Sequence, residues 1–122
     1  MPKKVLIIED SGDIGMALKL LMEFEGYEAL VASSAAEGRE LALETRADLI
    51  IMDIRLPDDD GIGLTRSLRS LPETKATPII CVSSYVTGLE AEALIAGCNE
   101  VFSKATFMES FNQTLTKYLG SA

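Results

Sequence analysis

The stretch LIIMD at residues 49–53 places four apolar residues directly before a carboxylate, Asp53. Two further apolar runs, VLII at residues 5–8 and IICV at residues 79–82, also lead into polar side chains. None of the three alternates between apolar and polar residues. Continuous apolar runs are typical of strands that helices cover on both faces of a parallel sheet. The three runs therefore predict the central strands of an α/β domain.

Five short apolar runs alternate along the chain with five segments of helical periodicity, which predicts βαβ units. The first helix is predicted over residues 11–25, with Ile14, Leu18 and Leu21 on its buried face. The last predicted helix carries a longer apolar face, made of Phe107, Phe111, Leu115 and Tyr118. Right-handed crossovers leave few topologies, so we predict a doubly wound, five-stranded parallel sheet of order 2-1-3-4-5 with helices on both faces.

Length and composition predict one cytoplasmic domain. A chain of 122 residues is long enough for one hydrophobic core and too short for two domains. No apolar run approaches the roughly 20 residues of a membrane span, so no membrane association is expected. Only four apolar residues follow the basic N-terminus, too few for a secretory signal. We expect a single domain over residues 1–122 with no attached output domain.

Charge and residue usage exclude several classes of function. The formal net charge is −8, and nucleic-acid affinity comes mainly from phosphate contacts by Lys and Arg, so no binding to nucleic acid is expected. The chain contains no histidine, which excludes a mechanism that uses its own histidine as base, nucleophile or metal ligand. The two cysteines, Cys81 and Cys98, offer no disulfide framework and are predicted to be reduced thiols.

Polar side chains follow four of the predicted strands, at the point where each strand ends: Glu9 with Asp10, Asp53, Ser83 and Lys104. Ligands of open parallel α/β sheets bind outside the carboxyl ends of the strands. We therefore expect an acidic pocket with one hydroxyl and one ammonium group. Mg²⁺ prefers carboxylate oxygens, and an aspartate can act as a nucleophile toward phosphorus. A lysine would neutralise the charge on the equatorial phosphoryl oxygens.

Each of these residues also has an ordinary structural interpretation. An acid pair after a strand can cap the next helix, and Asp53 can be a turn aspartate. Ser83 can be a loop hydroxyl and Lys104 a surface charge. The acidic run at residues 58–60 is interpreted as a solvated loop, with Asp60 near the N-cap of the third helix. These interpretations do not explain why the polar residues follow the same ends of strands one, three, four and five.

The ordered motifs resemble those of the response-regulator receiver domains of two-component signalling, the family of the chemotaxis regulator. They are VLIIED at residues 5–10, LIIMDIRLP at residues 49–57 with Gly61 eight residues after Asp53, PIICVS at residues 78–83, and Lys104. The resemblance covers essentially the whole chain. It implies a flavodoxin-like receiver fold and a phosphoacceptor module that uses Mg²⁺ or Mn²⁺.

The resemblance also implies a role for each residue of the pocket. Asp10 is similar to a direct metal ligand of the family, Glu9 to an acid acting through metal-bound water, and Arg55 to a residue whose main-chain carbonyl binds the metal. Asp53 is similar to the phosphoacceptor, which also contacts the metal. Two further positions match residues that contact the phosphoryl oxygens, Ser83 through its hydroxyl and Lys104 through its ammonium group.

The implied partners are proteins. The phosphoryl group would come from a sensor histidine kinase or a histidine phosphotransfer protein, since this chain has no histidine. A downstream protein target would bind the face formed by the fourth helix, the fifth strand and the fifth helix. Arg55 and Tyr85 flank the pocket in this resemblance, and we expect these long side chains to shield an acyl phosphate from water.

Two departures from the family leave alternative functions open. Val101 stands where receivers carry an aromatic residue that rotates on activation, and Phe102 faces the other side of the strand. Ala105 stands where the family has proline after the lysine. Both departures are compatible with a constitutive protein-binding module whose switch has decayed. A hydrolase with an aspartate nucleophile is a third alternative, but such enzymes place a second aspartate where this chain has Arg55.

Overall fold

The computed structural model describes residues 2–84 and 88–120. These residues form five strands and six helices, in the order β1 Lys4–Ile8, α1 Gly12–Phe24, β2 Glu28–Ala32, α2 Ala35–Thr45, β3 Leu49–Asp53, α3 Gly61–Arg69, β4 Ile79–Ser83, α4 Glu90–Ala96, β5 Glu100–Ser103, α5 Lys104–Glu109 and α6 Phe111–Leu119. Within the two described segments, no helix has the length and apolar character needed to cross a bilayer.

The five strands form one parallel sheet of order β2-β1-β3-β4-β5, which confirms the predicted topology. The strand order reverses between β1 and β3, where chain connections leave in opposite directions. The register pairs Ile8 with Met52 and Asp53 with Val82. The carboxyl ends of β1, β3 and β4 therefore lie side by side at one edge of the sheet.

The sheet separates two hydrophobic cores. One core packs β1, β3 and β4 against α2, α3 and α4, and the other packs the opposite faces of the same strands against α1, α5 and α6. Successive strand residues enter different cores, with Leu6 and Ile8 on one side and Val5 and Ile7 on the other. Because both faces are covered, neither set can be polar, which explains the absence of alternation in the sequence.

The buried face of α1 differs from the predicted one. Gly15 and Met22 are buried, Leu18 is partly buried, and Ile14 and Leu21 are 38% and 40% exposed. The reason is a close approach to β2, since a Cβ added to Gly15 would lie 2.9 Å from Val31 Cγ1. Most of α1 is apolar, so its periodicity alone could not select the face that packs.

The predicted last helix is divided into α5 and α6. Ser110 separates them at φ −105° and ψ 17°, and its Oγ donates a hydrogen bond to the Thr106 carbonyl oxygen at 3.0 Å. A serine hydroxyl that bonds the backbone in this way competes with the helical pattern. The predicted apolar face is retained across the break, because Phe107 and Phe111 are both buried.

The chain passes from β5 directly into a helix. Helix α5 begins at Lys104, and its N-cap Ser103 accepts a hydrogen bond from the Thr106 amide through Oγ at 3.1 Å. Ala105 lies inside this helix, and no peptide bond in the described segments is cis. Alanine keeps its N–H group and has the highest helix propensity, so the helix can begin directly after the strand.

Candidate functional site

The predicted acidic residues meet at the carboxyl edge of the sheet. Glu9 and Asp10 follow β1, and Asp53 is the last residue of β3. One carboxylate oxygen from each of the three lies within 4.8 Å of the others. The parallel pairing of β1 with β3 causes this convergence, because it brings Asp10, just after β1, close to Asp53 at the end of β3, which lies 43 positions later in the sequence. Such a group can hold a cation through oxygen ligands.

One ammonium group is shared by two of these carboxylates. Lys104 Nζ lies 3.3 Å from Glu9 Oε1, to which it donates a hydrogen bond, and 3.7 Å from Asp53 Oδ2. The position of Lys104 at the start of α5 directs its side chain back over the strand ends. Three carboxylates and one ammonium group leave the pocket with excess negative charge, which favours a bound cation.

Glu9 is the most strongly perturbed acid of the pocket. The residue is only 4% exposed, and burial raises the pKa of its carboxyl group to about 7, with further increases from the hydrogen bond and charge of Asp53. The charge and hydrogen bond of Lys104 lower the pKa of Glu9, but by less than burial and Asp53 raise it. Glu9 Oε2 is buried and has no hydrogen-bond partner in the part of the chain that the structure describes. A cation or metal-bound water beside this oxygen would satisfy it.

The raised pKa of Glu9 predicts a specific dependence of stability on pH. Below pH 4.5 the carboxyl group is protonated in both the folded and unfolded states. Between pH 4.5 and about 7 only the unfolded state ionises readily, so the free energy of unfolding falls as pH rises through this window. We expect a loss on the order of 3 kcal/mol at pH 8 relative to pH 4.5, from this group alone.

Urea unfolding of metal-free protein across this pH range would measure the effect. Glu9→Gln removes the ionising group and is expected to flatten that part of the profile, whereas Glu40→Gln at an exposed helical position should leave it unchanged. Added Mg²⁺ is expected to restore stability at pH 8 in the wild-type protein. An identical profile for the wild type and Glu9→Gln would contradict this assignment.

The loop between β3 and α3 folds back over Asp53. The Arg55 amide donates a hydrogen bond to Asp53 Oδ1 at 3.1 Å, and Arg55 also pairs with Asp60 in an isolated antiparallel bridge. The Gly61 amide donates to the Ile54 carbonyl oxygen at 2.5 Å. These contacts hold the backbone on both sides of Asp53. The Arg55 side chain is exposed beside the pocket.

The acidic run after this loop makes more contacts than its sequence indicated. Asp60 caps α3, as predicted, by accepting a hydrogen bond from the Gly63 amide. Asp58 is exposed, as predicted, and it also bridges to α2, where its two carboxylate oxygens accept from the Ala35 and Ala36 amides at 2.7 and 3.0 Å. These hydrogen bonds lower the pKa of Asp58, and the bond from the Ala36 amide contributes more than the bond from Ala35. No sequence signal connects residues 22 and 23 positions apart.

The remaining predicted residues lie on β4 and β5. Ser83 ends β4, is 2% exposed, and pairs in register with Ser103. Val101 packs against the core beside α3 and α4, and Phe102 packs against the opposite core, so these side chains lie on opposite faces as predicted. Tyr85 lies outside the described residues.

Comparison with known proteins gives consistent matches over the whole chain. Residues 5–116 match the response regulator receiver domain family. The chain is 37% identical over 124 residues to the polar-differentiation response regulator DivK of Brucella anthropi, with 100% of both chains covered. The DivK protein of Brucella ovis is 36% identical over the same length and coverage.

Solved structures also match this chain along nearly its whole length. The chemotaxis protein CheY4 of Vibrio cholerae superposes with a TM-score of 0.89 at 26% identity, covering 98% of this chain and 100% of that one. The receiver domain of the sensor histidine kinase PA1611 from Pseudomonas aeruginosa has a TM-score of 0.88 at 25% identity, covering 99% and 100%. That protein was crystallised with a magnesium ion coordinated in its active-site cleft.

Proposed function

Because the chain belongs to the response-regulator receiver domain family, we propose that it accepts a phosphoryl group on Asp53 from a phosphohistidine of a partner protein. One observation carries the proposal. The Asp53 carboxylate lies within 4.8 Å of two other carboxylates and 3.7 Å from an ammonium group. This combination can bind a cation and a phosphoryl group at the same place. The partner would be a sensor histidine kinase or a histidine phosphotransfer protein.

The pocket fits a divalent metal ion such as Mg²⁺ or Mn²⁺. Asp10 and Asp53 would bind the ion through carboxylate oxygens, Arg55 through its main-chain carbonyl, and Glu9 through bound water. Support comes from the buried Glu9 Oε2, which has no protein partner within the described segments, and from the excess of carboxylates over ammonium groups. When bound, the metal would supply positive charge that neutralises the phosphoryl oxygens.

The chain's own residues would then perform the transfer. A carboxylate oxygen of Asp53 attacks the phosphorus, the new O–P bond forms, and the P–N bond to the donor histidine breaks. Lys104 Nζ neutralises a phosphoryl oxygen, and the Ser83 hydroxyl donates a hydrogen bond to another. Lys104 already lies between Glu9 and Asp53, so its ammonium group needs only a small movement to reach a phosphoryl oxygen bound to Asp53.

A labelling experiment tests the proposal. The protein is incubated with Mg²⁺ and a small acyl phosphate, and the phosphoryl group bound to protein is measured before and after hydroxylamine. We expect hydroxylamine-labile label on the wild type and none on Asp53→Ala. Asp13→Ala, at an exposed position in the first turn of α1, should label normally. Absence of label on the wild type, or full labelling of Asp53→Ala, would exclude Asp53 as the acceptor.

Output is proposed to occur through binding of a protein target to the face made by α4, β5 and the predicted fifth helix, which the structure divides into α5 and α6. The alternative is a constitutive binding module, which is favoured by Val101 and by the position of Ala105 inside α5. Hydrogen exchange separates the two, because phosphorylation should change amide protection in these elements only if they switch. Equal amide protection with and without the phosphoryl group would favour the constitutive module.

Residues beside the pocket are expected to set the lifetime of the phosphoryl group. Arg55 is exposed next to Asp53, and its long cationic side chain can cover one approach for water. The double variant Arg55→Asn, Tyr85→Ala should therefore lose label by hydrolysis faster than the wild type. The rate is measured after removal of the acyl phosphate, with Arg39→Asn at an exposed site on α2 as control. Equal hydrolysis rates would refute the shielding role.

A further inference from the structure

Helix α1 carries a row of apolar side chains on its outward side. Met16, Leu20 and Phe24 recur every four residues, so they lie one above another along a single face of the helix. They are 53%, 58% and 88% exposed. The helix packs on the sheet through its other side, where Gly15 and Met22 are buried. Surface helices normally present polar residues to water, so this apolar row indicates a surface that another molecule covers.

The apolar row extends away from the acidic pocket. Helix α1 begins at Gly12, two residues after Asp10, and ends at Phe24. At about 1.5 Å per residue, these two ends of the helix are about 18 Å apart. Phe24, the most exposed large apolar side chain in the described part of the chain, therefore lies at the end of α1 remote from Asp10. A phosphoryl donor must reach Asp53 at the pocket, so its docking does not account for this end of the row.

We propose that a second copy of this chain covers the row, with the two α1 helices antiparallel about a two-fold axis at Leu20. Met16 and Phe24 stand four residues before and four residues after Leu20. The axis therefore places each Met16 against Phe24 of the other copy and the two Leu20 side chains against each other. A thioether beside an aromatic ring is a favourable contact beyond the burial of its area. The row is thus complementary to itself.

The charges beside the row match the same two-fold axis. Lys19 and Glu23 are four residues apart and lie along one edge of the row. The axis brings this edge next to the same edge of the other copy, running in the opposite direction. Helical side chains lean toward the N-terminus of their own helix, which directs Lys19 toward Glu23 of the second copy. The ion pairs formed among the described residues involve neither side chain, so both are available for two symmetric intermolecular pairs.

Sedimentation equilibrium of the full chain tests the association and does not depend on phosphoryl transfer. One helix face is a small interface, so we expect a monomer–dimer equilibrium with a Kd on the order of 10⁻⁴ M. Protein concentrations from about 10 μM to about 1 mM span this value. A monomer at every concentration would overturn the proposal and leave the row to a different protein.

A matched pair of substitutions locates the interface. Leu20→Lys places two ammonium groups against each other at the axis, so we expect association to weaken by at least about tenfold. Ile95→Lys makes the same chemical change on α4, where Ile95 is 84% exposed, and should leave the Kd unchanged. Dissociation by Ile95→Lys but not by Leu20→Lys would place the contact on α4 and overturn the proposal.

Reversal of charges tests the antiparallel arrangement. Lys19→Glu puts carboxylates together at both symmetric pairs and is expected to raise the Kd by about tenfold. The double substitution Lys19→Glu, Glu23→Lys exchanges the two charges and should restore the wild-type Kd. A Kd that Lys19→Glu leaves unchanged, or that the exchange does not restore, would refute this arrangement. Circular dichroism checks that each variant keeps its helices, and the wild-type measurement decides the association even if a variant fails to fold.

Discussion

Gly61→Ala is expected to destabilise the protein by about 3 kcal/mol and to slow labelling of Asp53 by about 10²-fold. A Cβ at this position would lie 2.5 Å from the Asp53 carbonyl oxygen and 3.0 Å from Ile54 Cα. Both are backbone atoms, so no side chain can rotate to relieve the contact. The start of α3 or the end of β3 must therefore move, and either movement displaces the proposed phosphoacceptor.

Urea unfolding and the acyl phosphate assay would measure the two effects of Gly61→Ala. The matched control is Gly12→Ala at the start of α1, where an added Cβ meets no atom within 4 Å. Because alanine has the higher helix propensity, this control is expected to be neutral or up to about 1 kcal/mol more stable. Wild-type stability and labelling in Gly61→Ala would show that β3 and α3 tolerate a larger separation.

Arg69→Met is the second substitution with a large expected effect, about 3 kcal/mol of lost stability. In the wild-type protein the guanidinium group of Arg69 donates hydrogen bonds to five acceptors. They are the carbonyl oxygens of Thr74, Lys75, Thr77 and Gly97 and the side-chain oxygen of Asn99. Arg69 thereby ties the end of α3 to the loop before β4 and to the turn before β5. Methionine keeps the packing of the aliphatic stem and removes every donor.

Thermal and urea unfolding of two further variants give the comparison for Arg69→Met. Arg66→Met changes an exposed arginine on the same helix and should cost under about 0.5 kcal/mol. Arg69→Lys is expected to be intermediate, because one ammonium group cannot reproduce the planar fork of donors. Equal stability of Arg66→Met and Arg69→Met would mean that water replaces the guanidinium group without cost.

The fold could be predicted because its signals are local. The runs at residues 5–8, 49–52 and 79–82 are apolar throughout, which restricts them to a sheet covered on both faces. The predictions failed where local signals were degenerate. Apolar residues surround most of α1, so the close approach at Gly15 decided which face packs. The apolar face shared by Phe107 and Phe111 gave no sign that Ser110 ends one helix and precedes another.

The membership of the pocket was accessible from the sequence for the same reason. Glu9, Asp10 and Asp53 each stand at or just beyond a strand end, and parallel strands present those ends at one edge. The interactions within and around the pocket were inaccessible. The sharing of Lys104 between two acids depends on side-chain positions, and the contact of Asp58 with α2 joins residues more than 20 positions apart.

The sequence by itself thus determined the sheet, its order and the chemical groups at its carboxyl edge, because strand runs and the residues that follow them are properties of short segments. Only the tertiary structure decided that Glu9 is the acid whose pKa is raised to about 7, and that Arg69 joins the end of α3 to the loop before β4 and to the turn before β5. Burial and shared hydrogen-bond donors are set by atoms that the chain brings together from distant positions, so they exist only once it has folded.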